Sequence, residues 1–160
     1  IPSSITSLNL GHNALAERTG AELAQAFAAI PTGVTALTLG DNGLGKRTGA
    51  ELAQAFAAIP AGVTELDLWD NGLGYVKTCA ELAQAFAAIP TGLTSLNLAC
   101  NALDCCKSDA EADLAKVFSA IHSGVTSLDL ALNFLRHKSR AELAKAFAAI
   151  PASVKSLDLG

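Results

Sequence analysis

VTALTLGDNGLGKRTGAELAQAFAAIPAG, residues Val34 to Gly62, decides the fold. The alternation Leu37-x-Leu39 gives a short strand one buried face and turns the residue between them outward. Thr48-x-x-Glu51 is a capping box that writes out a helix start. Leu52, Phe56 and Ile59 come next at i, i+4 and i+7 as one apolar stripe. Pro60 and Gly62 stop that helix and lead into another strand. From Val63 nearly the same text begins again. Units start at Ile5, Val34, Val63, Leu93, Val125 and Val154, so one domain, 1–160, divides into repeats 5–33, 34–62, 63–92, 93–124 and 125–153 and a partial unit 154–160. Ile1–Ser4 matches Ile150–Ser153, and with no initiating Met the chain is expected to be a fragment of a longer array. A unit of this length cannot bury its apolar face alone, and stacking on neighbours buries it.

Three registers run through all units. The strand opens L-x-x-L-x-L-x-x-N-x-L, with Val, Ile or Leu at the first place. Its Asn recurs at Asn13, Asn42, Asn71, Asn101 and Asn133. An amide both donates and accepts, so a stack of them is predicted to satisfy backbone groups where each chain turns inside. Phe27, Phe56, Phe86, Phe118 and Phe147 form a second internal ladder. Capping boxes are written at Thr19/Glu22, Thr48/Glu51, Thr78/Glu81, Ser108/Glu111 and Ser139/Glu142. Unit four carries two extra residues between Glu111 and Leu114, which predicts a helix beginning about half a turn early.

These residues resemble the leucine-rich repeat family, and the strand-plus-helix unit is similar to its ribonuclease-inhibitor-like class. The resemblance covers the whole chain. It implies an α/β right-handed solenoid, a horseshoe arc with a parallel β-sheet on the concave face and α-helices on the convex face. The helix text AELAQAFAAIP after VTSLDL is similar to leucine-rich repeat effectors of intracellular bacterial pathogens. The near-identity of the units also fits an engineered consensus array.

Composition narrows the functional classes. The chain is 51% hydrophobic but 5% aromatic, which suits a core of small and aliphatic side chains. No apolar run approaches the roughly 18–20 residues that span a bilayer, and the start shows no signal peptide; no membrane role is expected. A net charge of −4 argues against a nucleic-acid partner. Cys79, Cys100, Cys105 and Cys106 lie together in mid-chain rather than at its ends, which points to free thiols in an intracellular, reducing compartment; an effector would act in host cytosol. Neither end carries a polar capping unit, so end-to-end self-association is an expectation.

The copied half of each unit supplies the interfaces between repeats, and the variable half carries individuality. Outward strand positions are rich in acid, among them Glu65, Asp67 and Asp129, a docking surface for a basic partner or a solvated face. Trp69, Tyr75, Val76, Cys100, Cys105, Cys106, Leu132 and Phe134 all fall in the variable halves of units three to five. With strands roughly 4.8 Å apart they could form one patch, and exposed aromatic anchors are typical of protein-binding hot spots. The predicted partner-binding residues are therefore Trp69, Tyr75, Leu132, Phe134, Glu65, Asp67 and Asp129. A base precedes each cap (Arg18, Arg47, Lys77, Lys107, Lys138), and a salt-bridge ladder with the helix Glu residues is predicted, an anion-binding rim being the alternative.

No catalytic constellation is legible. His12, His122 and His137 fall in different units, the Cys spacing matches no common zinc pattern, and no base is oriented toward a thiol. The sequence predicts a protein–protein interaction module with no enzymatic activity, cofactor or metal, the leucine-rich repeat region of a bacterial effector that binds a host protein. A repeat scaffold without an evolved partner, or the specificity domain of an enzyme whose catalytic part lies outside these residues, are the alternatives.

Overall fold

The computed structural model describes residues 1–76, 78–105 and 113–160. Six three-residue strands, β1 (Ser7–Asn9), β2 (Ala36–Thr38), β3 (Glu65–Asp67), β4 (Ser95–Asn97), β5 (Ser127–Asp129) and β6 (Ser156–Asp158), pair in chain order in one parallel sheet. The register is unbroken: Leu8, Leu37, Leu66, Leu96, Leu128 and Leu157 lie side by side. Between strands run the helices α1 (Gly20–Ala28), α2 (Gly49–Ala57), α3 (Cys79–Ala87), α4 (Leu114–Ser119) and α5 (Arg140–Ala148), each packed on the next. Packed helices stand about 8–10 Å apart and strands about 4.8 Å. A stack of one on the other therefore bends with the sheet inside, as the repeat pattern implied.

The core is the ladders themselves. Leu39, Leu68, Leu98 and Leu130, Leu52 and Leu82, and Phe56, Phe86 and Phe118 are fully buried. A buried side chain of this size stabilises by about 1.5–3 kcal/mol, and here the ladders bury each against its counterparts in neighbouring units. Asn42, Asn71, Asn101 and Asn133 are 2% exposed or less. The Asn71 amide donates to Leu68 O (3.0 Å) and Trp69 O (3.3 Å) in its own unit and to Leu39 O (3.0 Å) in the one before. Its oxygen accepts from the preceding unit's Asn42 N–H (3.1 Å) and Leu44 N–H (3.3 Å). Asn42, Asn101 and Asn133 repeat the pattern. Asn13, in the first unit, is exposed, and its side-chain amide donates to its own Leu10 O and Gly11 O alone among the described residues. A further ladder lies at the strand entrances, where the Thr35, Thr64, Thr94 and Thr126 hydroxyls each donate to the carbonyl of the Thr one unit earlier, at 3.1–3.3 Å.

The helix starts are closed by complete capping boxes in α1, α2 and α5. Bonds from the Thr19 and Thr48 backbone N–H groups and from the Ser139 hydroxyl hold Glu22, Glu51 and Glu142 below the usual carboxylate range. In α3 only the Glu81 N–H to Thr78 half of the box is formed among the described residues. The box expected at Ser108/Glu111 lies outside them. Among the described residues the expected salt-bridge ladder is reduced to Arg47–Glu51 at 3.4 Å. Arg18 and Lys138 act on Glu22 and Glu142 through charge without closing a contact, and Lys77 and Lys107 lie outside the described residues.

The early start predicted for the fourth helix falls on residues before 113 that lie outside the described ones. The other helices begin three residues before their buried Leu; α4 begins at Leu114 itself, capped by the Asp113 carboxylate on Ala115 N–H (3.1 Å). A β-carbon on Gly20 would stand 2.7 Å from Glu51 Cβ, and one on Gly49 would stand 2.5 Å from Glu81 Cβ. These glycines let the first turn of the next helix close in. Cys79 occupies the same position in α3 with a buried side chain.

This packing has two measurable consequences. Asn71→Ala should destabilise by at least about 3 kcal/mol, because it orphans several buried backbone groups at about 1–3 kcal/mol each, whereas Asn13→Ala should cost under about 1 kcal/mol; denaturant unfolding of both variants measures the contrast. His122 stands where the other units have Pro31, Pro60, Pro90 and Pro151, and its Nε2 is buried without a partner beside a void lined by Phe86, Ile89, Leu96, Ile121 and Val125. His122→Pro should raise stability by about 0.5–1 kcal/mol, read as an increase in Tm.

Candidate interaction surface

The buried Asn dictates the loop around it. To turn the amide inward, the residues on both sides adopt left-handed backbone: His12 and Ala14, Asp41 and Gly43, Asp70 and Gly72, Cys100 and Ala102, Leu132 and Phe134, with φ from 48° to 65°. Glycine sits there without cost and Asp is tolerated, but other L-residues are disfavoured by roughly 1–2 kcal/mol. Leu132 (φ 56°) and Phe134 (φ 55°) are the bulky exceptions. They are also exposed, at 60% and 46%. Strain and exposure thus coincide in one turn.

Phe134 is flanked by Arg136 and His137. The Arg136 guanidinium carbon lies 5.4 Å from its ring centroid. The His137 ring stacks at 6.3 Å and 17°, and its Nδ1 is 2.7 Å from the Asp104 carboxylate. Tyr75, 63% exposed, ends the one-turn 3-10 helix Leu73–Tyr75. Its ring lies over Gly72, where a β-carbon would come within 2.9 Å of Tyr75 Cδ2. Unit three therefore needs Gly at the place where unit five carries Phe.

Trp69 belongs to the strand face rather than to this rim. It is half-buried and leans on Gly40, a β-carbon there lying 3.5 Å from Trp69 Cε3. The His12 ring meets the indole edge-on at 6.4 Å, and His12 Nδ1 pairs with the Asp41 carboxylate at 2.6 Å. The ring contacts of Trp69 and Phe134 thus go to different partners, and the two aromatics occupy separate zones two units apart. Val76, expected in the patch, is buried at 2% and packs in the core, because its side chain turns inward ahead of the cap of α3. Cys100 is half-buried in its turn. Cys106 lies outside the described residues, and so does the Cys105 side chain.

The strand acids have a structural side that their sequence does not announce. One oxygen of Asp67 accepts from Trp69 N–H and one of Asp129 from Ala131 N–H, each at 2.9 Å. Asn9, Asn97 and Asp158 make the same bond to Gly11, Ala99 and Gly160. This closes the strand into the turn. The free interchange of Asp and Asn at this position was the available signal, since an Asx turn needs the shape and not the charge. Glu65, two residues earlier, makes no such bond. Among the described residues no group of three His, Cys, Asp or Glu is arranged to hold a metal ion, and no helix is long and apolar enough to cross a membrane.

A strand, an inward Asn turn and a helix, stacked in register on leucine ladders, define a leucine-rich repeat solenoid, and the chain belongs to the leucine-rich repeat proteins. It is similar over 99% of its length to the crystal structure of the leucine-rich repeat-containing protein LegL7 from Legionella pneumophila, with 46% identity and a TM-score of 0.85. It spans 48% of that protein's chain. The tropomodulin C-terminal domain of Caenorhabditis elegans shares the fold alone, at 8% identity and a TM-score of 0.53, over 92% of this chain and 83% of that one. No family model and no curated protein sequence matches.

The rim residues are expected to be dispensable for folding. Phe134→Gly and Leu132→Asp install residues that other units carry at the same left-handed positions, so both variants should unfold within about 1 kcal/mol of the parent or above it. Losing a buried aromatic would instead cost about 3–5 kcal/mol, and thermal melts separate the two.

Proposed function

We propose that this chain is a protein-binding module, the leucine-rich repeat region of a bacterial effector that engages a host protein through the rim and strand face of units three to five. The observation that carries the reading is Leu132 and Phe134. Two large apolar side chains are held exposed on strained left-handed backbone, where units two and three have Asp and Gly and units one and four have His or Cys and Ala, and this costs stability without filling the core. Tyr75 and Trp69 add aromatic anchors, and Glu65, Asp67 and Asp129 add polar contacts around them. The bacterial and host context rests on the likeness to the Legionella protein. A binding role, rather than catalysis, suits a surface built from single substitutions on a repeated frame.

The test is retention from eukaryotic cytosol on the immobilised chain, set against a variant with Trp69→Gly, Tyr75→Lys, Leu132→Asp and Phe134→Gly. A discrete protein held by the parent, lost by a variant with unchanged Tm, and bound again from purified components supports the proposal. Equal retention by the two, or none by the parent, overturns it.

A further inference from the structure

We infer that the face of β3, built by Glu65, Asp67 and Trp69, receives an arginine-bearing basic segment of the partner protein; this rests on the binding-module reading above and names the partner's chemistry. The six-strand sheet face has no covering element among the described residues. Across it, only unit three carries charge at both outward strand positions together with an aromatic at the third. Its neighbours carry Ala36, Thr38 and Gly40 on one side and Ser95, Asn97 and Ala99 on the other. These shorter, uncharged side chains leave a depression over β2, β3 and β4, lined by Ala36, Thr38, Glu65, Asp67, Ser95 and Asn97.

The negative charge in that depression is uncompensated. The ion pairs formed among the described residues involve Asp41, Glu51, Asp104 and Asp113, and neither Glu65 nor Asp67 is among them. Lys155 of β6's unit is the one base among the strand-face positions, three strands away. Asp67 is positioned by its bond to Trp69 N–H, which leaves its second oxygen available, and Glu65 has both. Trp69 is seated on Gly40, so its ring is held in place.

The spacing fits a guanidinium. Alternate residues along a strand are separated by about 6.6–6.8 Å, so a cation over the indole, within about 6 Å of its centroid, reaches the Asp67 carboxylate. A second cation two residues along an extended segment meets Glu65. Arginine suits both places, since its planar fork pairs with a carboxylate while its face stacks on an aromatic. An acidic or purely apolar segment would leave both carboxylates facing like charge or stripped of water.

Trp69 is the only Trp in the chain, so its fluorescence reads this face directly. The full chain is titrated with a capped Arg-Gly-Arg peptide and, separately, with Glu-Gly-Glu. The companion variant is Glu65→Ser with Asp67→Asn; Ser95 and Asn97 hold the same places in unit four, and Asn97 keeps the turn bond, so the fold is retained. The expected result is a saturable change in emission with the arginine peptide alone, weakened about tenfold or more in the double variant and by added salt, but little by Asp158→Asn three strands away. No emission change, an equal response to both peptides, or an unaltered Kd in the double variant overturns the inference. If a captured host protein is lost with the rim variants but ignores the double variant and the peptide, the binding module stands and the basic segment falls. If the parent captures nothing while the arginine titration behaves as expected, the face stands and the host-protein reading falls.

Discussion

The side-chain amide at one position per repeat sets the terms for everything else. Each chain must leave the strand and turn while still inside the protein, where an unpaired carbonyl or N–H costs about 1–3 kcal/mol. The Asn71 amide answers that need for two units at once, reaching the end of its own strand and the turn before it. The bonds run one way. Every buried Asn completes the turn of the preceding unit, and the turns at Asn42, Asn71 and Asn101 are completed by the unit after. A repeat is therefore never satisfied alone, and stability resides in the interfaces between units.

That constraint propagates outward through backbone geometry. Pointing the amide inward obliges the residues beside it to be left-handed, and those residues form the rim facing solvent. Gly43, Gly72, Asp41 and Asp70 meet the demand cheaply; Leu132 and Phe134 do not. The same turn that makes the array regular thus supplies sites where a side chain is presented without entering the core. Tyr75 shows the coupling from the other side, since its ring needs the bare α-carbon of Gly72.

How much was legible in the sequence depends on whether a feature has one cause. Leu37, Asn42 and Phe56 recur because burial alone selects them, and their period predicts the register, the core and the side on which helices lie. Features that arise between units were harder to read. Gly20 and Gly49 read as ordinary helix-start residues, yet each makes room for the Glu of the next helix, which only the stacked structure reveals. The rim likewise looked like one patch along the chain, yet Trp69 folds onto Gly40 and His12 while Phe134 turns to Arg136 and His137. Sequence proximity places residues within a unit, whereas the direction of a side chain depends on what the neighbouring unit leaves empty. The ladder Thr6, Thr35, Thr64, Thr94 and Thr126 was in plain view at regular spacing and is explained by hydroxyls bonding back to the previous strand.

Separating structural from surplus polarity sharpens the functional surface. Asp67, Asp129 and Asp158 stand in one row with Asn9 and Asn97, and all five close the same turn, so their acidity is not by itself a sign of function. Glu65 differs. Its row otherwise reads Ser7, Ala36, Ser95, Ser127 and Ser156, and no backbone bond requires a carboxylate there. Trp69 differs in the same way from a row of Gly and Ala. Both departures occur in β3's unit, whose neighbouring strands carry short outward side chains. A frame so strictly specified by its amides and leucines leaves the outward positions free to vary without penalty. Glu65 and Trp69, which depart from the pattern there with no backbone bond requiring them, are the residues the proposed basic segment would meet.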